Sequence, residues 1–192
     1  MTHLLLTHGA GSNRNAPLLV ALEKAFLDHQ IEVIRFDLPF RQDRPKGPPR
    51  PGDAARDRQG LREQMSKLRD QHPGPVWLGG VSYGGRQSSM LAAEIPGLAD
   101  RLLLLSYPLH PPGKPAQLRT AHFPKLQTPV LFVQGSRDPF GTIEELNTAI
   151  VLIPAPVQLL EIEGAGHDLG RNHAVTAARI AETASSFLHP RP

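Results

Sequence analysis

The chain of 192 residues contains no cysteine. Disulfides, thiolate metal sites and a cysteine nucleophile are therefore excluded, and the absence fits a reducing compartment. Aromatic residues make up only 5% of the chain, too few for the stacking platforms that a nucleic-acid surface needs. Neither sign of charge dominates: 21 Lys and Arg stand against 18 Asp and Glu, a net of +3. No nucleic-acid partner is expected from that balance. No apolar run approaches the length that crosses a bilayer. The opening Met1-Thr2-His3-Leu4-Leu5-Leu6-Thr7 lacks the basic segment and the apolar length of an export signal. A cytoplasmic location without membrane association is the expectation. Carboxylates and histidines nowhere fall at metal-ligand spacing, so neither a metal nor another cofactor is called for.

What remains is an ordinary globular composition, 40% apolar and 20% charged, expected to form a single domain over residues 1–192. Short apolar segments alternate with longer amphipathic ones. Strands are expected at 3–7, 32–36, 76–79, 101–106, 130–134 and 157–162, and helices at 17–29, 53–71, 84–95, 142–152 and 171–188. Pro17 suits a first helical turn, where the missing N–H costs nothing. Leu19, Leu22, Phe26 and Leu27, like Leu61, Met65 and Leu68, recur at helical spacing. Leu102-Leu103-Leu104-Leu105 is apolar at consecutive positions, as in a parallel strand covered on both faces. The pattern predicts an α/β domain with right-handed crossovers. Two stretches rich in proline, 41–52 and 107–129, interrupt it and are expected as surface excursions beyond the carboxyl ends of strands.

Gly80-Val81-Ser82-Tyr83-Gly84 lies between an expected strand and an expected helix. A serine at the apex of such a turn is presented outward at a strained backbone position. The glycines two before and two after it avoid the clash that a Cβ would bring. G-x-S-x-G alone is a weak signal, so its partners decide the matter. Serine needs a base, and the base needs an orienting carboxylate. Asp138 follows the expected fifth strand in Gly135-Ser136-Arg137-Asp138-Pro139, and His167 follows the sixth in Gly164-Ala165-Gly166-His167-Asp168. Asp168 is a competing carboxylate, but adjacent loop side chains usually diverge. An oxyanion hole would take one amide from Tyr83, directly after the serine. The second would come from the loop His8-Gly9-Ala10-Gly11, with Ala10 preferred and Gly11 as the substitute. His8 is expected to brace that loop. Each feature has a plainer reading: an ordinary strand–helix turn, a turn-initiating Asp138, a loop-packing His167. His3, His29, His72, His122, His173 and His189 are expected on the surface or at caps. A dinucleotide fingerprint fails, because its third glycine would fall at Arg14.

On these motifs, together with Ser106-Tyr107-Pro108-Leu109-His110-Pro111-Pro112-Gly113-Lys114-Pro115, the chain resembles the α/β-hydrolase superfamily. Within it, the chain is most similar to the compact dienelactone-hydrolase-like group that includes testis-expressed hydrolase-like proteins and a histone-acetyltransferase-complex subunit. The resemblance implies a six-stranded parallel sheet in order 2-1-3-4-5-6, helices on both faces, no cap domain, and Ser82, Asp138 and His167 as a triad. It also implies a poorly enclosed site, with Gly9 and Gly11 on its wall, Tyr107 and His110 at its rim, and 107–128 as a flap at most. The expected function is a cofactor-independent carboxylesterase or thioesterase acting on a small ester. An amidase or peptidase with the same triad, and a non-catalytic interaction module using the 107–129 loop or the 41–58 region, are the alternatives. Oligomeric state stays open.

Overall fold

The computed structural model describes residues 1–188. The chain runs β1 (Thr2–Thr7), α1 (Pro17–Leu27), β2 (Ile31–Phe36), α2 (Pro39–Asp43), α3 (Asp53–Gln71), β3 (Val76–Val81), α4 (Tyr83–Glu94), β4 (Arg101–Leu105), a one-turn 3-10 helix (Phe123–Lys125), β5 (Val130–Gly135), α5 (Ile143–Ile150), β6 (Val157–Ile162) and α6 (His173–Leu188). All six strands are parallel, in the order β2-β1-β3-β4-β5-β6.

Because side chains alternate across a strand, consecutive leucines feed two cores. Leu102 and Leu104 pack with Leu61, Met65 and Leu91 from α3 and α4. Leu103 and Leu105 pack with Leu19, Leu22 and Ile180 from α1 and α6. Element ends have local causes. Pro17 opens α1, and left-handed backbone at Gln30 (φ 58°) turns the chain into β2. Ser106 (φ 48°) leaves the strand direction, so β4 stops at Leu105. Thr142 and Glu145 form a reciprocal capping box on α5.

The two proline-rich stretches run over the surface as expected, with 45–48 and 112–118 exposed, but each is anchored by buried side chains. The first begins inside the short helix α2, and Arg41 is buried, its guanidinium donating to the carbonyls of Ala10, Ser12, Arg44 and Gly47. In the second, Tyr107, Leu109, Phe123 and Leu126 are fully buried. Tyr107 packs edge-on to Phe132 and donates its hydroxyl to the carbonyl of Arg119 at 2.7 Å. His110 is buried, with one ring nitrogen at the Pro111 carbonyl and the other 3.2 Å from the Glu145 carboxylate. Burying a phenol and an imidazole requires such partners, and their supply anchors the loop to the body of the sheet. Tyr107 and His110 are thus core and bracing residues rather than rim residues, and 107–128 is no flap.

Two further histidines depart from the surface role. His3 is buried and stacks on His72 with ring centroids 3.7 Å apart. His122 is half-buried, 2.8 Å from Ser89 Oγ. Burial first, then the charges of Arg86 and Arg58, push the His122 imidazole down to about 4. Burial also lowers His8. His189 lies outside the described residues.

Native His122 gains its proton only near 4, whereas an unfolded imidazole gains it near 6.5. The unfolded state therefore binds more protons across that window. The stabilisation is complete above the unfolded value and is lost as pH falls toward the native one. The urea midpoint should drop between about pH 7 and about pH 5. His122→Phe should remove part of that drop; an unchanged pH dependence in the variant would remove His122 as a cause.

Candidate active site

Ser82 sits between the last residue of β3 and the first of α4, with φ 51° and ψ −116°. A non-glycine in so sparsely populated a backbone region costs about 1–3 kcal/mol. Here the conformation is imposed from both sides: the Ser82 N–H donates to the Leu105 carbonyl, and its carbonyl accepts from the Arg86 N–H. A Cβ on Gly84 would stand 2.5 Å from the His8 carbonyl oxygen, and one on Gly80 2.6 Å from the Gly84 carbonyl carbon. Both glycines let α4 start hard against β1 and β3, and that closeness turns the serine outward.

His167 Nε2 lies 2.8 Å from Ser82 Oγ. Its Nδ1 lies 2.8 Å from Asp138 Oδ2 and 3.0 Å from Oδ1. Asp138 is 3% exposed; one oxygen accepts from the Phe140 N–H at 2.8 Å and the other from Gln134 Nε2 at 3.0 Å. Asp168 instead accepts from the Gly170 N–H in a local turn. The loops carrying the histidine and the carboxylate are bonded to each other through the Arg137 N–H and the Ala165 carbonyl. Three residues distant in sequence thus form one hydrogen-bonded line.

The loop after β1 is held as tightly. The Gly9 carbonyl accepts from the Ser12 N–H at 3.1 Å and faces His8 Nδ1 at 2.8 Å, while His8 Nε2 accepts from the Leu38 N–H at 3.2 Å. Accepting at Nε2 places the His8 proton on Nδ1, so a neutral ring is needed; burial outweighs the Gly9 and Asp37 contacts and keeps it so. In a trans peptide the N–H points opposite to the C=O. Two donors on the Gly9 carbonyl therefore aim the Ala10 N–H away from His8. Neither the Ala10 nor the Tyr83 N–H donates to another group among the described residues. The Tyr83 side chain is drawn elsewhere, its hydroxyl donating to Asp57 at 2.7 Å.

A cleft of about 420 Å³ lies over these groups, lined by Gly9, Ala10, Gly11, Leu18, Ser82, Phe140 and His167 among others. Tyr107 and His110 do not line it. Among the described residues no three His, Asp or Glu side chains converge on a point that would hold a metal ion.

Three residues that pattern reading passed over shape the site. Phe140 stacks on the His167 ring, centroids 4.2 Å apart at 29°. Arg41 clamps the carbonyls of Ala10 and Ser12. Gln134 reaches Asp138 and the Gly141 carbonyl. Only Gln134 left a trace in the sequence, an amide in an otherwise apolar strand just before the Asp138 turn. Gln134→Leu removes one donor to a buried carboxylate, a loss of about 1.5–3 kcal/mol. Any hydrolytic turnover should fall on the order of tenfold or more, measured beside a thermal melt to separate it from unfolding.

The parallel sheet and the Ser–His–Asp line at the carboxyl ends of its strands define the α/β-hydrolase class. The chain belongs to the α/β hydrolase domain family, whose description fits residues 1–188. Solved structures share the fold at low identity. An α/β serine hydrolase homologue from Coxiella burnetii is 18% identical, with 95% of this chain and 84% of that one covered at TM-score 0.77. A dienelactone hydrolase from Anabaena variabilis is 21% identical, covering 98% and 86% at TM-score 0.75. The esterase domain of a Rhodothermus marinus protein is 17% identical, covering 98% and 86% at TM-score 0.72.

Proposed function

We propose that the protein is a cofactor-independent serine hydrolase that cleaves a small carboxylic ester or thioester through an acyl-enzyme. The observation that carries the reading is the unbroken line from Ser82 Oγ through His167 to Asp138, each step 2.8 Å. His167 takes the Ser82 proton as Oγ attacks the acyl carbon. Asp138 holds the imidazole with its proton on Nδ1 and stabilises the imidazolium that forms. The Ala10 and Tyr83 amides receive the oxyanion; such a pair is worth several kcal/mol in the transition state. The C–O or C–S bond then breaks, and the leaving group departs with the proton from His167. Water activated by the same imidazole attacks the acyl carbon, releasing the acid and returning the proton to Ser82.

Phe140 stacked on His167 shields one face of the ring from water and supports the imidazolium through its π-face. The Phe140 N–H and Gln134 Nε2 donate to the two Asp138 oxygens and fix the carboxylate facing His167. Incubation with a fluorophosphonate probe and with p-nitrophenyl acetate tests the reading. Folded protein that neither labels at Ser82 nor turns over the ester would overturn it.

A further inference from the structure

Asp57 of α3 is fully buried. It forms no ion pair among the described residues. Burying a carboxylate without a cation costs stability, and burial pushes the Asp57 pKa up against the bonds that it accepts. Its two oxygens are divided between the two sides of the site. Oδ2 accepts from the Tyr83 hydroxyl at 2.7 Å, a bond to the residue whose N–H follows Ser82. Oδ1 accepts from the Phe40 N–H at 3.0 Å, which fixes the segment 38–41. From that segment, bonds run on to the loop after β1. The Leu38 N–H donates to His8 Nε2, whose ring in turn holds the Gly9 carbonyl, and Arg41 Nη2 donates to the Ala10 carbonyl at 2.9 Å. Those two carbonyls belong to the peptides on either side of the Ala10 Cα, so the plane that carries the Ala10 N–H is held at both ends.

Resting on the serine hydrolase reading, we infer that Asp57 is a positioning residue for the oxyanion: one carboxylate, bonded to Tyr83 on one side and to the 38–41 segment on the other, sets the Tyr83 and Ala10 amides relative to each other. Asp57 is not among the residues that line the cleft, so it acts only through these two arms. The oxyanion forms in both acylation and deacylation, and in neither case in the ground state. Loosening its two donors therefore slows both steps and leaves substrate binding alone.

The test compares Asp57→Ala, Asp57→Asn and Tyr83→Phe, each beside a thermal melt. Asp57→Ala removes both arms, and its kcat for p-nitrophenyl acetate should fall about a hundredfold with KM within about twofold. Trifluoroacetophenone, whose adduct with Ser82 carries the oxyanion, should lose affinity by about the same factor as kcat/KM. Asp57→Asn can still accept from the Phe40 N–H through its oxygen and donate to the Tyr83 hydroxyl through its nitrogen, so kcat should recover to within about fivefold of the native value. Tyr83→Phe breaks one arm and leaves the main chain in place. It should lower kcat about three- to tenfold alone, and hardly at all on top of Asp57→Ala, where that bond is already gone. If the alanine variant does not fold, Tyr83→Phe serves: kcat and inhibitor affinity must fall together at constant KM. Full kcat in Asp57→Ala, a loss carried by KM, inhibitor affinity unchanged while kcat falls, or an asparagine variant no better than alanine would each overturn the role. Native protein that labels at Ser82 and hydrolyses the ester, with Asp57→Ala equally active, rejects the positioning role alone. Native protein that neither labels with a fluorophosphonate nor turns over any ester rejects both readings.

Discussion

Ser82→Ala is expected to lower ester hydrolysis by about five to six orders of magnitude while the melting temperature stays nearly constant. Attack requires an oxygen at the position where His167 Nε2 receives a proton, 2.8 Å away, and among the described residues no other hydroxyl is hydrogen-bonded to that nitrogen. Folding loses little because alanine and serine meet the same steric cost at φ 51°. The backbone bonds of residue 82 to Leu105 and Arg86 also do not involve the side chain. The amides proposed to hold the oxyanion remain, so a small residual rate above that of water should persist. Steady-state hydrolysis of p-nitrophenyl acetate beside a thermal melt checks both halves. Activity retained by the alanine variant would place the nucleophile elsewhere.

Gly84→Ala should cost activity out of proportion to stability. The added Cβ would stand 2.5 Å from the His8 carbonyl oxygen and 2.7 Å from Thr7 Cγ2. A carbonyl in the main chain cannot swing aside as a long side chain can, so the first turn of α4 and the end of β1 must part. Overpacking of this kind costs about 1–3 kcal/mol of stability. The two amides proposed to hold the oxyanion, of Tyr83 and Ala10, sit on opposite sides of that contact. One substitution therefore changes their separation, and misplacing a single such donor costs about two to three orders of magnitude in kcat. Gly11→Ala is the contrasting case: its Cβ would meet nothing within 4 Å, and near-normal turnover is expected. If Gly84→Ala keeps full kcat, the oxyanion is not held between these two segments.

Some of this arrangement was legible from residue patterns. The run from Leu102 to Leu105 marked a strand covered on both faces, and the two cores receive its side chains alternately. The glycines around Ser82 marked an outward serine, since only the lack of a Cβ permits that approach to β1. Asp138 and His167 were found by where they fall after strands, because a parallel sheet gathers the loops at its carboxyl ends whatever their distance in sequence. The order of the strands rested on resemblance to a family, and the registered pairs bear it out.

Loop side chains were where patterns misled. Tyr107 and His110 look like rim residues in a proline-rich loop, yet Phe132 of β5 and Glu145 of α5 draw them inward. Arg41 reads as a solvated charge until four carbonyls from two separate segments surround it. A charge or ring is buried only where distant groups satisfy it, and residues next to it in sequence carry no record of those groups.

Local preference, the spacing of apolar residues and the placement of glycine were enough, from the amino acids alone, to place the six strands, the five longer helices and the serine that the chain holds outward, but not the short helix α2. The tertiary structure decided which carboxylate meets His167 and that the Ala10 and Tyr83 amides have no acceptor among the described residues. Each of those depends on the directions of side chains and peptide planes brought together from remote segments, and direction arises only when the segments pack.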